Sequence, residues 1–278
     1  MNSDKIGFAI KNTNWCNLNC VHCCECSGPN VAPNIMSLNK VEKYITDFNA
    51  VKYPKWEYVV FTGGEAMAPY FHNQNTYIPS CLDIATSCNM VPVVKTNATW
   101  GTDDHMRKRI LNDFAGMAYK HQKLMSLEMS IDEFHDNMNG IVNIISDVVR
   151  STYLAPAVRL ALVGLNTVES YIRFLQLVDK MNGQGLFTVI NNGELDITIP
   201  NLHQVKVFFD LWAMIANVGR AKKNNLGVYK PTGKPEMFTG HCLQIDNHDV
   251  AILNNVHREK IQNENLNQII EKLIARTK

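Results

Sequence analysis

The stretch Trp15-Cys16-Asn17-Leu18-Asn19-Cys20-Val21-His22-Cys23 sets three cysteines in the spacing C-x3-C-x2-C. Three thiolates on one short loop can hold three corners of a [4Fe–4S] cube. The fourth iron then has no protein ligand and stays open to a substrate or cofactor. Such a site is catalytic rather than a plain electron carrier. A structural zinc site is the competing reading of the same spacing, with His22, Cys24 or Cys26 as fourth ligand. A short apolar strand at residues 6–10 precedes the loop, so the cysteines follow a strand end.

A second stretch bears on the choice. Tyr58-Val59-Val60 is an apolar run that leads into Phe61-Thr62-Gly63-Gly64-Glu65. Glycines at a strand end let the backbone approach a ligand closely. A carboxylate beside them can accept hydrogen bonds from an ammonium group. The two stretches lie about forty residues apart. Together, in this order, they resemble the signature of the radical S-adenosylmethionine (radical SAM) enzymes. The resemblance implies a [4Fe–4S] cluster on Cys16, Cys20 and Cys23. It also implies that Gly63, Gly64 and Glu65 receive the methionine end of SAM.

Bulk properties exclude several classes. The chain of 278 residues is 46% hydrophobic and 19% charged, which suits a globular protein with a sizeable core. Lys plus Arg number 27 against 26 Asp plus Glu, and a net charge of +1 makes no case for nucleic acid or a membrane surface as partner. No apolar run reaches the length of a membrane span. No signal-peptide apolar segment follows Met1. Eight cysteines then read as metal or redox chemistry in a reducing, cytoplasmic setting rather than as a disulfide framework.

Strand and helix patterns alternate along the chain. Strands are expected at 6–10, 58–61, 91–96, 127–131, 158–163 and 186–190. Helices are expected at 38–48 after a Ser37 cap, 78–87, 102–114, 141–149, 167–181 and 202–216. Such alternation argues for an α/β fold with a parallel sheet and helices outside it. Six strand–helix units are too few for a closed eight-stranded barrel. The resemblance implies an open, partial (β/α)6 TIM-like barrel, and the count agrees. Functional loops of such sheets lie at the C-terminal strand ends. This core is assigned to residues 1–222 and a small α+β extension to 223–278. In the extension, 243–245 and 250–253 flank a polar Asn247-His248-Asp249 and read as a hairpin, and a helix is expected at 266–274.

Several further contacts to SAM are implied by the resemblance. His22 holds the place of an aromatic residue facing the adenine, with a solvent-facing loop residue as the alternative. Thr96 and Asn97 end the third strand, near the methionine and ribose. Ser130 and Asp132 fall on one face by alternation and suit the ribose hydroxyls or the substrate. Asp132 reads equally as a helix N-cap. Arg159 on the fifth strand is placed near the SAM carboxylate, or else points outward. Asn191 and Asn192 end the sixth strand and line the pocket, and Gly219-Arg220-Ala221 resembles a turn of peptide-modifying members.

The C-terminal segment resembles a degenerate SPASM or twitch extension. It has one cysteine, Cys242, and a single thiol cannot hold an auxiliary cluster. Cys242, tuned by His241, is the candidate hydrogen-atom donor to a product radical, with a packed thiol as the alternative. Cys81 and Cys88, seven apart on a helix, read as buried core thiols. The resemblance therefore implies reductive cleavage of SAM to a 5′-deoxyadenosyl radical that abstracts hydrogen from a ribosomally made peptide, with cross-linking, epimerisation or oxidation as outcome. A flavodoxin or ferredoxin would supply the electron. A small-molecule substrate (nucleotide, sugar or amino acid) is the alternative, with Arg220, Lys222 and Lys223 holding a phosphate or carboxylate. The reading from another class is a non-catalytic iron–sulfur or zinc module that binds a partner.

Overall fold

Strands and helices alternate as the apolar pattern demands in the computed structural model, which describes residues 6–23, 25–165, 167–191, 194–198, 204–213, 241–246, 250–253, 257–261 and 265–275. The order is β1 (Ile6–Thr13), α1 (Leu38–Asn49), β2 (Lys55–Gly63), α2 (Ala68–Phe71), α3 (Tyr77–Ser87), β3 (Val91–Thr96), a 3-10 turn (Thr99–Thr102), α4 (Asp104–His121), β4 (Met125–Ser130), α5 (Met138–Arg150), β5 (Val158–Leu165) and α6 (Val168–Gly183). Then come β6 (Phe187–Asn191), β7 (Glu194–Thr198), β8 (Gln204–Ala213), β9 (His241–Ile245), β10 (Val250–Leu253), β11 (His257–Lys260) and α7 (Leu266–Ala275).

Local chemistry explains the elements. In β4, Met125, Leu127 and Met129 are buried, while Ser126, Glu128 and Ser130 are half-buried. This period of two is that of a strand with one apolar face. In α5, Ile141, Ile144, Ile145 and Val148 are buried, the three-and-four spacing of one helix face. Each such side chain contributes roughly 1.5–3 kcal/mol on full burial. Caps fix two helix starts. Asp103 accepts from the Met106 N–H at 2.9 Å and Thr167 from the Ser170 N–H at 3.1 Å.

The chain divides into two compact units. One comprises Met1–Asn19, Glu25–Val93 and Lys230–Lys278, the other Cys20–Cys24 and Val94–Tyr229. In the first unit the strand order is β11-β10-β9-β1-β2. There β1 runs parallel to β2 and to β9, and β9, β10 and β11 are antiparallel neighbours. In the second unit the order is β4-β5-β8-β7-β6, with β4, β5 and β8 parallel and the β6–β7–β8 pairs antiparallel.

Two expectations need correction. Residues 202–216 are not the final helix, since Gln204–Ala213 forms β8. The segment Val205-Lys206-Val207-Phe208-Phe209 is β-branched and aromatic, with Val207 buried between exposed Lys206 and half-buried Phe208, which suits a pleated surface better than a helix. Nor is 186–190 the sixth parallel strand. Phe187–Asn191 pairs antiparallel with β7 in an edge hairpin, and β8 takes the place beside β5. The C-terminal hairpin and helix are as expected. Less expected is that β9 joins β1 in parallel, Ile6 opposite His241 through Ile10 opposite Ile245.

The stacked pair Phe8 and Phe48, 4.3 Å apart at 8°, anchors α1 to β1, and both rings are fully buried. Phe48→Ala is expected to cost about 3–5 kcal/mol of stability, read from the shift in denaturant midpoint at constant m-value.

Candidate functional site

In the first unit, the end of β1 and the Gly-Gly-Glu turn after β2 are joined backbone to backbone. The Gly64 N–H donates to Thr13 O at 2.9 Å and the Glu65 N–H to Trp15 O at 2.8 Å. Gly63 has φ +137°, and a Cβ there would lie 2.3 Å from Thr13 O. A Cβ on Gly64 would lie 2.1 Å from Trp15 O. Only glycine fits either position. Asn12 Nδ2, from the same strand, donates to Ala66 O at 3.0 Å just past the turn. Glu65 is 1% exposed, and its Oε1 accepts from the Met67 N–H at 2.9 Å. Cys16, one residue past this junction, is buried, and its sulfur accepts from the Leu18 N–H at 3.4 Å. Trp15 packs on Phe71 and His72 at 5.5 and 4.6 Å.

In the second unit, Cys20 and Cys23 face one tight turn, with the Cys23 N–H donating to Cys20 O at 3.2 Å. Neither is in a disulfide, and both are half-buried. His22 between them stacks on Phe134 at 4.4 Å and meets the edge of His135 at 5.4 Å. His135 Nδ1 donates to Asp132 Oδ1 at 2.7 Å, and the Phe134 N–H donates to the same oxygen at 2.9 Å. Asp132 therefore organises its own turn. It does not cap a helix, because the N-cap of α5 is Asn137. Ligand atoms of His22, Asp132 and His135 lie within 4.8 Å of one another, a grouping able to hold a metal ion.

Electrostatics follow from this packing. Burial alone would raise the Asp132 carboxyl, but the hydrogen bond and charge of His135, the charge of His22 and the Phe134 N–H together hold it below the usual carboxylate value. Burial alone would lower His135, but hydrogen bonds with Asp132 and Cys20 push it up to about 10.

Thr96 and Asn97 spend their side chains on a turn. Thr96 Oγ1 accepts from the Ala98 N–H at 3.0 Å and from Trp100 Nε1 at 2.9 Å. Asn97 Oδ1 accepts from the Thr99 N–H at 3.0 Å and its hydroxyl at 2.7 Å. Ala98 between them sits at φ +58°, a left-handed conformation held by those bonds. Asn137 was not singled out from sequence. Its Nδ2 donates to Asn97 O at 2.6 Å and Ser130 O at 2.7 Å, and so ties the ends of β3 and β4. An Asn just before an apolar helix pattern was the available signal, but it points to a cap rather than a clamp. His135 and Phe134 were likewise missed as partners of His22.

Arg159 stands apart from these strand ends. It lies opposite Ser126, near the start of β5, whereas Ser130 lies opposite Val163. Its guanidinium stacks on the Phe208 ring at 4.3 Å. Cys81 is fully buried, as expected, but Cys88 is not a core thiol: it is half-buried at the C-cap of α3. Cys26 is exposed at φ +56°. Cys242 stands opposite Gly7 in the β1–β9 register. Cys24, Asn192, Gly219, Arg220, Ala221, Lys222 and Lys223 lie outside the described residues.

No known family profile matches the chain, and no curated protein does. Solved structures do. Native anSMEcpe with bound AdoMet is 13% identical over 96% of this chain and 80% of its own, with TM-score 0.50. Streptococcus suis SuiB bound to S-adenosylmethionine is 10% identical over 96% of this chain and 66% of its own, with TM-score 0.46. SuiB bound to precursor peptide SuiA is 11% identical over 96% and 64%, with TM-score 0.45. The chain thus spans just under two thirds of the SuiB length. The likeness to anSMEcpe bears out the α/β partial-barrel class read from the sequence. Among the described residues no helix is long and apolar enough to cross a membrane.

Gly64→Ala is expected to destabilise the chain by about 1–3 kcal/mol through forced backbone movement. Gly116→Ala, whose added Cβ meets nothing within 4 Å, is the control and is expected to stabilise α4 by up to about 1 kcal/mol. Denaturant midpoints of the two variants check both. In the metal-free chain, the raised His135 contributes stability that is full below its ordinary pKa of 6.5 and is lost as pH rises through about 10. The lowered Asp132 contributes stability present above its ordinary 3.8 and lost as pH falls through its folded value. His135→Asn is expected to abolish the alkaline loss, measured as the pH dependence of the unfolding midpoint.

Proposed function

We propose that the chain is a radical SAM enzyme that acts on a peptide. The observation that carries the reading is the junction of two motifs in one unit. The Gly-Gly-Glu turn is hydrogen-bonded directly to Thr13 and Trp15, the residues that lead into Cys16. A glycine turn of this kind belongs to the resemblance drawn from sequence, and its placement gives the motif a physical reason. The partial-barrel fold supports the reading further.

The donor set fits an iron–sulfur cluster. Cys16, Cys20 and Cys23 are thiols free of disulfides, none fully exposed, and an N–H is already aimed at the Cys16 sulfur. These three would hold the cluster. When bound, cluster and SAM supply reductive carbon–sulfur cleavage and hydrogen abstraction. The protein's part is to bind, orient and shield. Gly63 and Gly64 would admit the SAM amino-acid end to the backbone, and Glu65 would accept from its ammonium. His22, on its Phe134 stack, would present a flat ring to the adenine. Thr96, Asn97, Ser130 and Asp132 would set the strand ends that carry the ribose side. Asn192, Arg220 and Ala221 remain candidate cofactor contacts by resemblance, and Cys242 a candidate hydrogen-atom donor; Arg159, at the other end of its strand, fits the outward-pointing alternative.

Peptide over small molecule rests on the tail, whose single cysteine and short strands resemble a degenerate SPASM or twitch extension. A short precursor-peptide gene beside this one would support it, metabolic genes the alternative. A metal-binding module is the second reading, favoured by the grouping of His22, Asp132 and His135.

Oxygen-free reconstitution separates them. The expected outcome is about four irons per chain and a reduced EPR signal that shifts on adding SAM. Cys20→Ala should abolish both. Zinc in place of iron, or a cluster indifferent to SAM, would overturn the assignment.

A further inference from the structure

Lys11 is a lysine in the core. It lies on β1 opposite Thr62 and is only 4% exposed. A buried ammonium without a counter-charge is costly and ordinarily gives up its proton. Here it is met by Glu25 Oε1 in a short ion pair, with the glutamate side chain 25% exposed. Glu25 is two residues beyond Cys23 in the chain. Both partners belong to the first unit.

The pair sits within a set of ties at the foot of the cysteine loop. Thr13 bridges to Ile35 and Trp15 to Gly28. The Cys16 N–H donates to Gly28 O at 3.4 Å. These are backbone contacts at the loop's base, and any sequence of suitable shape can make them. Lys11–Glu25 is different. It is a side-chain latch on the limb that leaves Cys23, the last of the three motif cysteines, and its strength depends on the identity of two residues. Surface ion pairs contribute little, but a pair with one partner buried is strongly coupled, since removing either charge strands the other.

We infer that the Lys11–Glu25 pair is a positioning device for the three-cysteine loop, fixing the limb after Cys23 so that the loop retains its cluster. The inference rests on the cluster reading above. Neither residue is a cluster ligand. Each acts through the loop.

The test uses the full chain, reconstituted without oxygen, and follows iron loss to a chelator together with the reduced EPR line shape. Lys11→Met and Glu25→Gln are expected to lose iron about tenfold faster than the wild type, the lower end of what outer contacts contribute to metal retention. Lys11→Arg keeps the charge and is expected to retain iron at close to the wild-type rate. The exchanged double variant K11E/E25K is expected to recover most of the retention. Thermal unfolding of the metal-free proteins separates a loop effect from a folding defect, and the exchanged variant keeps the test alive if a single variant folds poorly. Single variants that hold iron as long as the wild type, with unchanged line shape, would overturn the inference alone. A wild-type chain that takes up no iron would overturn the cluster reading, and this inference with it.

Discussion

Everything in the first unit turns on how closely two pieces of backbone approach each other. The Gly63–Gly64 turn lies against Thr13 and Trp15 with no room for a single Cβ, and two N–H groups of the turn are spent on carbonyls of that segment. Strand pairing brings β1 and β2 side by side, and the turn continues the contact past the strand ends. The segment before Cys16 therefore cannot move without the turn. Asn12 reinforces this from the same strand by holding Ala66 O. On the cluster reading, a loop that presents sulfur atoms in a fixed geometry would benefit from such a rigid root.

The second unit solves a different problem. Its strand ends carry several buried polar side chains, and burial of each is costly unless hydrogen bonds are made. Thr96, Asn97 and Asp132 satisfy this locally, each accepting two donors within its own turn. Asn137 is the exception that acts at long range. One amide bridges carbonyls from two strand ends forty and seven residues away. The residue stands where an N-cap would be, yet makes no cap hydrogen bond to its helix. The helix start forgoes a stabilising bond, and the strand ends gain a clamp.

These two habits explain what could be read from sequence. Apolar periodicity is a local property, so β3 was legible to the residue and β4, α5 and α6 to within about three residues at each end. The glycine pair was legible because a close approach leaves a compositional mark. The β6–β7–β8 insertion was not, because the expectation of another strand–helix unit overrode the β-rich pattern of 204–213. The β1–β9 pairing was not, because parallel neighbours distant in sequence leave no local trace. Asp132 was found for its position, but the cap reading fails and its partners in the turn, Phe134 and His135, were not foreseen. His135, Lys11 and Glu25 were missed as partners since each acts through a contact that only folding creates.

The same contrast bears on relatedness. At 13% identity the fold is still shared over 96% of the chain. A sheet packed on helices asks only that buried positions stay apolar and of fitting size, so most of the sequence is free to drift. Contacts between backbones, and polar side chains that clamp them, tolerate far less. Function is argued from such constrained places rather than from the fold that carries them. In this chain they gather where β1 ends and β2 turns, and where Asp132, His135 and His22 meet. The radical SAM reading draws its weight from the first. The first gives the glycine turn a steric reason to exist. The second sets a polar group, shaped by His135, beside Cys20 and His22. A chain that kept the apolar pattern but lost these contacts would lose the rigid root of the segment before Cys16 and the ordered turn around Asp132.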